Sequence, residues 1–480
     1  MKTLCLRSLP LWLCLLLPLQ LSADIRIETA TLALTFNDQG SLVQAGACYP
    51  QCQDDSARRL RLEDAQGIIG FEQTPGGVWV QRQGLPQRLD DDNLLHFTGS
   101  KGQSISWIIP PHGYLIEAAT SNIDTLVLRA GAGFKARPAA GFGGWLEQVR
   151  YVALGSGGME QIGLDDEELR RVFTDWAGFR NRFWTVLASG EEESTFDLQT
   201  GADNSEALLR RSGGLKEEQH FFYLGPVEAE ELSAVDEILG DMLYAGLWFW
   251  LRWICFGLYY LLGWIHQSVV ADWGVAIMLL SLTVHILMLP LSRMADRVQQ
   301  EVNATEARLA PELSRIRKEF RGEEQAARMT ALYKSAKVHP LYSLKSLLGI
   351  AVVIPVFIGA FDMLAENIHL LNAGFLWISD LSRPDALAQL PFRLPFFGSD
   401  LNLMPFLMTG LSVLASWLHQ PLALSAESRT QQVRNMLLLA LAFFALFYTF
   451  PAGMVLYWTS NNLIAVAKSL WARRPMAAVS

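Results

Sequence analysis

Residues Trp273 to Leu291 read WGVAIMLLSLTVHILMLPL, and this stretch decides the fold class of the chain. It contains no Asp, Glu, Lys or Arg, and a helix of this length crosses the ~30 Å hydrocarbon core of a bilayer. A single ionisable side chain, His285, interrupts it. Because ionisable groups are expensive at membrane depth, we predict a transmembrane helix with a functional candidate at His285.

Five other apolar segments surround this one and predict a helical membrane bundle. They are Leu243 to His266, Ser346 to Ala365, Leu403 to Leu418, Met436 to Phe450 and Met454 to Leu470. The first is rich in Trp and Tyr and contains Arg252, so it fits either a span or an amphipathic helix lying at the interface. Together with Trp273 to Leu291, this predicts five transmembrane segments and one segment, Leu243 to His266, with two interpretations.

The distribution of Lys and Arg predicts the orientation and resolves that ambiguity. The loop 292–345 carries 11 Lys or Arg, whereas 366–402 has only Arg383 and Arg393. Basic loops stay in the cytoplasm, so 292–345 is predicted inside and 366–402 outside. Only one span then fits between residues 242 and 292, and the segment Leu243 to His266 must lie flat on the outer surface.

The cytoplasmic loop 292–345 has a helical pattern of its own. Val302, Leu309, Leu313 and Ile316 recur near helical spacing, and the run breaks at Arg321-Gly-Glu-Glu324. We predict an antiparallel helical hairpin. A solvated connector is the alternative.

The first half of the chain has a different composition. Residues 24–242 hold 34 acidic and 18 basic side chains, whereas residues 243–480 hold 14 and 19. Residues 1–23 resemble a secretory signal, with Lys2 and Arg7 before an apolar stretch and small residues before Asp24. This predicts an exported domain behind either a cleaved signal peptide or an uncleaved N-terminal anchor.

Alternation of apolar and polar residues predicts that the exported domain is all-β. The runs are Ile25 to Phe36, Gly77 to Gln81, Ser104 to Ile109, Tyr114 to Ala118, Thr125 to Arg129 and Phe183 to Leu187. Asn-Asp-Gln-Gly40 marks a hairpin turn. Short strands separated by Gly, Asp and Pro favour a large β-sandwich.

Cysteines and chemistry-bearing residues in the exported domain are sparse. Cys48 and Cys52 flank Tyr-Pro-Gln, and a Pro-centred turn brings such a pair within reach of a disulfide in an oxidising compartment. Two unpaired cysteines are the alternative, and no further Cys or His stands at ligand spacing for a metal. We find no nucleophile motif, phosphate loop or nucleic-acid-binding pattern, so no enzyme activity and no cofactor is expected.

Several motifs resemble the YidC/Oxa/Alb family of membrane protein insertases, in the family's order. They are Trp264-Ile-His266 with Asp272-Trp-Gly274, Pro290-Leu291, Ala331-Leu-Tyr-Lys334, Lys337-Val-His-Pro-Leu341, Ile354-Pro-Val-Phe357, Phe375-Leu-Trp-Ile-Ser-Asp-Leu-Ser382, Phe450-Pro-Ala-Gly-Met-Val-Leu-Tyr-Trp458 and Asn461-Asn-Leu463. The resemblance implies five conserved transmembrane helices, an interfacial helix and a cytoplasmic helical hairpin behind a periplasmic β-sandwich. The layout is 1–23 signal or anchor, 24–230 periplasmic domain, 231–272 linker and interfacial helix, and 273–480 membrane domain.

The resemblance also implies a function without covalent chemistry. Members are thought to form a hydrophilic groove, open to the cytoplasm and to lipid, through which nascent membrane proteins enter the bilayer. Such a groove lowers the cost of carrying polar peptide groups through hydrocarbon. The implied partners are client proteins, the lipid bilayer, the Sec translocon and the ribosome.

The chain departs from the family pattern at two positions. The family's groove carries an arginine five residues before the proline of Pro-Leu, and this chain has His285 there. His285 either binds clients or is satisfied by polar neighbours. Lys345, in a loop that is longer than in the family, either replaces the missing charge or snorkels to the surface.

Further groove candidates come from the same resemblance. Ser281 and Asn461, with Thr283, Thr459 and Ser460, are expected as polar lining, and Phe357, Tyr457 and Trp458 occupy positions thought to contact clients. Ordinary packing is the alternative for each aromatic residue. Two rival functions are a divergent paralogue dedicated to one client or assembly pathway, and a transporter.

Overall fold

The computed structural model divides into an all-β region followed by a helical region. It describes residues 24–472 except 55–56, 65–66, 73–78, 81–86, 90–91, 100–101, 131–133, 135–139, 156–157, 164–169, 174, 190–194, 201–206, 337, 339–346 and 419–425. The predicted signal or anchor, 1–23, and Lys345 therefore lie outside the described residues.

Strands make up the described chain from residue 25 to residue 226, apart from short turns and a 3-10 helix, Gly141–Glu147. In chain order they are β1 Ile25–Glu28, β2 Leu32–Phe36, β3 Leu42–Tyr49, β4 Arg58–Glu63, β5 Ile69–Glu72, β6 Trp79–Val80, β7 Gln87–Leu89, β8 Asp92–Gly99, β9 Ser104–Ile109, β10 Leu115–Arg129, β11 Arg150–Gly155, β12 Gly158–Gly163, β13 Arg170–Phe173, β14 Trp176–Arg180, β15 Trp184–Ser189, β16 Thr195–Thr200 and β17 Ala207–Pro226.

The two longest strands organise this antiparallel region. β10 pairs with β5, β9 and β17, and β17 pairs in turn with β15 and β16. Alternate side chains of the strands point into a core that contains the fully buried rings of Phe36, Phe97, Trp107 and Phe179. The prediction of an all-β first half is confirmed.

Two strand boundaries differ from the sequence prediction. The run Ile25 to Phe36 is two strands, β1 and β2, which pair with each other. The Thr29 hydroxyl accepts hydrogen bonds from the backbone N–H groups of Thr31 and Leu32, which closes a tight turn inside the alternating run. Conversely, the predicted strands around 114–118 and 125–129 are one strand, β10, with a register irregularity that keeps both halves paired.

Helices dominate from residue 229 onward. They are α1 Ala229–Val235, α2 Glu237–Gly240, α3 Phe249–Ser268, α4 Trp273–Glu319, α5 Gly322–Ser335, α6 Leu347–Glu366, α7 Met404–Leu418, α8 Ala426–Phe447 and α9 Ala452–Ala472. Each predicted apolar segment lies on one of the helices from α3 to α9. Between α6 and α7 lie a 3-10 helix, Ile368–Leu370, and a β-hairpin, β18 Ala388–Leu394 and β19 Gly398–Leu401, that the sequence patterns did not predict.

Helix α4 extends far beyond the predicted end of its apolar segment. It continues through Pro290 and Pro311 to Glu319, so the expected span and the first arm of the hairpin are one helix of 47 residues. A proline removes one backbone hydrogen bond, so Pro290 leaves the carbonyl of Ile286 without its usual helical donor, and the helix nevertheless continues. The break between α4 and α5 falls at the predicted glycine, Gly322.

Among the described residues, one helical stretch is long and apolar enough to cross a bilayer, judged by length and composition alone. It is Trp273–Val302. Two further apolar helical stretches are shorter, Met404–Leu418 and Val433–Phe447.

Candidate functional site

A polar cluster joins α4 and α9 inside the helical region. Ser281, which is fully buried, donates from its hydroxyl to Oδ1 of Asn461 at 3.0 Å. The buried Tyr457 lies one turn before Asn461, on the same face of α9. Three of the predicted site residues therefore meet at one point, although 180 positions separate Ser281 from Asn461 in the sequence.

His285 lies on the same face of α4 as Ser281, one turn further along, and is half-buried. The charge that acts on it from the other helix is Lys468 of α9. Lys468 follows Asn461 by two turns, about 10 Å of helix, whereas His285 follows Ser281 by about 6 Å. The polar cluster and the two basic side chains thus form a line that runs from Ser281 toward the charged end of α4.

An aromatic group packs beside the polar cluster, next to Tyr457. The rings of Phe357 on α6 and Trp458 on α9 have centroids 4.4 Å apart, and Phe447 on α8 lies 6.0 Å from Trp458. Tyr457 also contacts Trp458, with centroids 5.6 Å apart. Phe357 is half-buried, so its ring packs within the bundle and still reaches a surface.

The remaining polar candidates bond within their own helices. Thr283, Thr459 and Ser460 each donate to the carbonyl four residues earlier, at 2.7–2.8 Å. Such bonds satisfy a hydroxyl inside an apolar helix. Ser281 differs from them, because its hydroxyl reaches across to another helix.

The opposite end of the bundle is joined to the β region by buried arginines. Arg182, in the turn before β15, donates to the backbone carbonyls of Ala365 and Ser382 and pairs with Glu147 at 3.0 Å. Burial lowers the pKa of its guanidinium, opposed mainly by Glu147. Nearby, Arg180 pairs with Glu366 at 3.3 Å and donates to the Met242 carbonyl. These contacts lock the end of α6 onto the β region.

The segment between α6 and α7 covers this end of the bundle through side chains that bond to backbone. Asp385 accepts from the N–H groups of Leu403 and Met404 at the start of α7. Asn402 donates to the Tyr448 carbonyl at 2.7 Å, and Gly453 donates its N–H to the Leu381 carbonyl. Backbone N–H and C=O groups at these helix ends are therefore hydrogen-bonded by the covering segment.

Other predicted residues lie away from this site. Cys48 and Cys52 form a disulfide with an S–S distance of 2.10 Å, in the β region. Within the described residues, no group of three or more His, Cys, Asp or Glu side chains is arranged to hold a metal ion.

Sequence reasoning missed two groups of functional candidates. In the sequence Lys468 is only a basic residue near the end of the last apolar segment. The packing of α9 against α4, seen in the Ser281–Asn461 contact, brings it toward His285. Arg182 gave no signal, because a lone arginine in a β-rich region is usually a solvated side chain.

Comparison with known proteins covers mainly the helical half. The sequence model of the family described as "60Kd inner membrane protein" matches residues 264–478. A "Membrane protein insertase YidC" from Syntrophobacter fumaroxidans is 31% identical over 257 residues, 53% of this chain and 43% of that protein. Proteins of the same name from Shewanella woodyi and Helicobacter pylori are 34% and 30% identical, over 53% and 64% of this chain.

The matched regions cover 42–52% of those three relatives, so the chain spans about half the length of the curated relatives it matches. Among solved structures, the chain aligns with "Active YidC insertase crystal structure with the first transmembrane domain resolved". That alignment covers 93% of this chain and 92% of the other, at 15% identity and a TM-score of 0.36. The resemblance drawn from the sequence motifs is confirmed by the sequence matches.

Proposed function

We propose a function from sequence similarity: residues 264–478 match the family model described as "60Kd inner membrane protein", and we infer that the chain is a YidC-type insertase. The chain inserts nascent proteins into the inner membrane and helps them to fold, by partitioning rather than by covalent chemistry. The observation that carries the proposal is the polar line of Ser281, Asn461, His285 and Lys468 between helices whose outer surfaces are apolar.

The membrane layout is part of this proposal. Large apolar side chains are exposed on the helices, among them Leu287 at 65%, Leu441 at 63% and Val353 at 54%. Water-exposed apolar surface on this scale is costly, and lipid removes the cost. With α4, α6, α7, α8 and α9 as five spans, residues 292–345 lie in the cytoplasm and 24–230 form a periplasmic β-sandwich domain. Residues 231–272, including α3, lie along the outer face, and 1–23 act as a signal or anchor.

The groove of this proposal opens on the cytoplasmic side and is closed at the outer end. The arginine contacts and the segment between α6 and α7 support the closure. The polar line supports a path that starts near Lys468 and ends at Ser281. A client's hydrophilic segment would be held along this line while its apolar part moves into lipid past Phe357, Tyr457 and Trp458.

The two basic residues have separate roles in this proposal. His285 replaces a permanent positive charge with a side chain that hydrogen-bonds the client. Lys468 supplies the cation for acidic client residues, because it is exposed near the end of α9 and acts electrostatically on His285. Lys345 is a second source of positive charge at the groove mouth.

Crosslinking tests whether this line contacts clients. A photoreactive residue at position 285, 357 or 457 should crosslink to a ribosome-stalled membrane protein, whereas position 438, which is 59% exposed on α8 and faces lipid here, should not. Equal crosslinking from 438 would contradict the groove.

Charge substitutions test the two basic residues. Lys468→Glu should reduce insertion of a client with an acidic translocated segment by about tenfold, and a neutral client should be little affected. His285→Arg should preserve or improve general insertion. If His285→Arg abolishes insertion while His285→Ala is harmless, the charge argument is wrong.

Partners follow from the same proposal. The Sec translocon and the ribosome act with this chain, and the lipid bilayer receives the product. A paralogue dedicated to one client is the second candidate, favoured by the histidine at position 285. Rescue of cells depleted of their main insertase separates the two, since a dedicated paralogue would not restore growth. We propose neither enzyme activity nor transport of small molecules.

A further inference from the structure

A pocket lies where the β region, α3, the start of α4 and the segment after α6 meet. We call it the outer pocket; its volume is about 850 Å³, within the range of small-molecule sites. Side chains that are far apart in the sequence line it together, among them Arg58, Glu230, Tyr260, Trp264, Trp273 and His369.

A stack of aromatic rings forms its floor. Trp273 stacks on His266 at 3.7 Å between ring centroids and on His369 at 5.2 Å, with planes within 17° of parallel. The Tyr259 hydroxyl lies 3.3 Å from Nε2 of His369 and donates to Glu228 at 2.6 Å. Burial lowers the pKa of His369 to about 4, so this ring is uncharged at neutral pH and adds an apolar face to the floor.

The charged groups of the pocket are then Arg58, Glu228 and Glu230. Glu228 is buried and accepts from Tyr259 and from the N–H groups that begin α1. Arg58 donates to the carbonyls of His369 and Leu371 and holds the segment after α6 in place. Glu230 is exposed. Aromatic faces beside a carboxylate attract an organic cation.

The rim of the pocket points toward the membrane surface under the layout proposed above. Tyr260 and Trp264 are 54% and 59% exposed, and Trp253, 75% exposed, continues the same aromatic face along α3. Trp and Tyr collect at the headgroup level of bilayers. A pocket that opens on this face meets lipid headgroups.

We propose that the outer pocket binds the headgroup of a phospholipid that carries an ammonium group, such as phosphatidylethanolamine. The ammonium lies against the rings of Tyr260 and Trp264 and beside the Glu230 carboxylate, and Arg58 supplies positive charge on the phosphodiester side. This inference rests on the proposed membrane placement and is separate from client insertion.

Lipid binding to the purified full chain tests the proposal. Short-chain phosphatidylethanolamine and phosphatidylglycerol are titrated in detergent, and lipid adducts are counted by native mass spectrometry. Phosphatidylethanolamine should bind more tightly, and Glu230→Gln or Trp264→Ala should weaken it about fivefold. The matched controls, Glu237→Gln and Trp145→Ala, change exposed side chains outside the pocket lining and should leave the preference unchanged.

Three results would overturn the proposal. The first is equal binding of the two lipids. The second is loss of the lipid preference in the controls as well as in the pocket variants. The third is binding of a lysine-rich peptide by a chain that shows no lipid preference. The last would assign the pocket to a basic protein segment. Failure of the insertase proposal would appear differently, as absent client crosslinks with the lipid preference intact.

Discussion

The two ends of the helical bundle are built differently. At the outer end, buried arginines bond to backbone carbonyls and acidic partners, and the segment between α6 and α7 caps the helix starts. At the inner end, α4 and α5 carry exposed ion pairs such as Arg328 with Glu324. Buried charge pairs depend on fixed geometry, whereas exposed ion pairs contribute little to the free energy of unfolding.

This difference indicates which end can move. Arg182 has three protein partners in a fixed arrangement, so separating the β region from α6 would leave a charge and carbonyls buried without partners. The inner arms are held by few such contacts among the described residues. In the membrane layout proposed above, a bundle that is rigid at its outer end and adjustable at its inner end would suit access from the cytoplasm.

The largest expected effect comes from breaking the outer junction. Arg182→Met should lower the free energy of unfolding by about 3–5 kcal/mol, because Glu147 and two carbonyls lose their buried partner. Thermal unfolding of the purified chain measures it. Arg26→Met is the control, since Arg26 and Glu28 form an exposed pair, and it should change stability by less than about 1 kcal/mol. Equal losses of stability in the two variants would show that the buried arginine contacts do not stabilise the outer end more than an exposed ion pair does.

The second effect is the pH dependence of the outer end. The pKa of His369 is lowered to about 4 in the folded chain, so the unfolded chain binds more protons between about pH 6.5 and pH 4. Stability should therefore fall as the pH drops through this window, by at most about 3 kcal/mol. His369→Gln should flatten the dependence, and the exposed His112→Gln should not. An unchanged slope in His369→Gln would contradict the assignment.

A smaller effect is expected at the polar line. Ser281→Ala should lower the free energy of unfolding by about 1–2 kcal/mol, since it leaves the part-buried oxygen of Asn461 without the Ser281 donor. Thr283→Val, which removes only a bond within α4, should cost less than about 0.5 kcal/mol. Chemical denaturation in detergent compares the two. A costlier Thr283→Val would mean that the interhelical bond is not the important one.

The smallest effect belongs to the inner arms. Glu324→Gln should reduce stability by only about 0.3–0.5 kcal/mol, because it removes an exposed pair between residues four apart on α5. Circular dichroism of the full chain during thermal unfolding is the measurement. A loss above about 2 kcal/mol would show that the arms are as firmly built as the outer end.

Much of the fold could be predicted from local pattern. The apolar stretch from Trp273, the strand of Ser104 to Ile109 and the break between α4 and α5 just before Gly322 all appear where the sequence indicates. The predicted ends of helices and strands were wrong where two local sequence signals conflicted. The predicted span ended at Leu291, but α4 continues past it to Glu319, and Thr29 closed a turn within an alternating run.

The candidate site was predicted less completely. Ser281, Asn461 and Tyr457 were named from the family motifs, and the structure brings them together. Lys468 was not named, because nothing near it in the sequence reveals which helix it faces. Lys345, the sequence's own candidate for the missing charge, lies outside the described residues.

Sequence alone determined the all-β first half, the order of the apolar helices and the basic loop between them, since periodicity and charge are properties of neighbouring residues. Tertiary structure decided the pairing of Ser281 with Asn461, the reach of Lys468 to His285, the burial of Arg182 and the outer pocket. Each joins residues about 100 or more positions apart. Such contacts depend on how whole helices and strands pack, and no local pattern of residues carries that information.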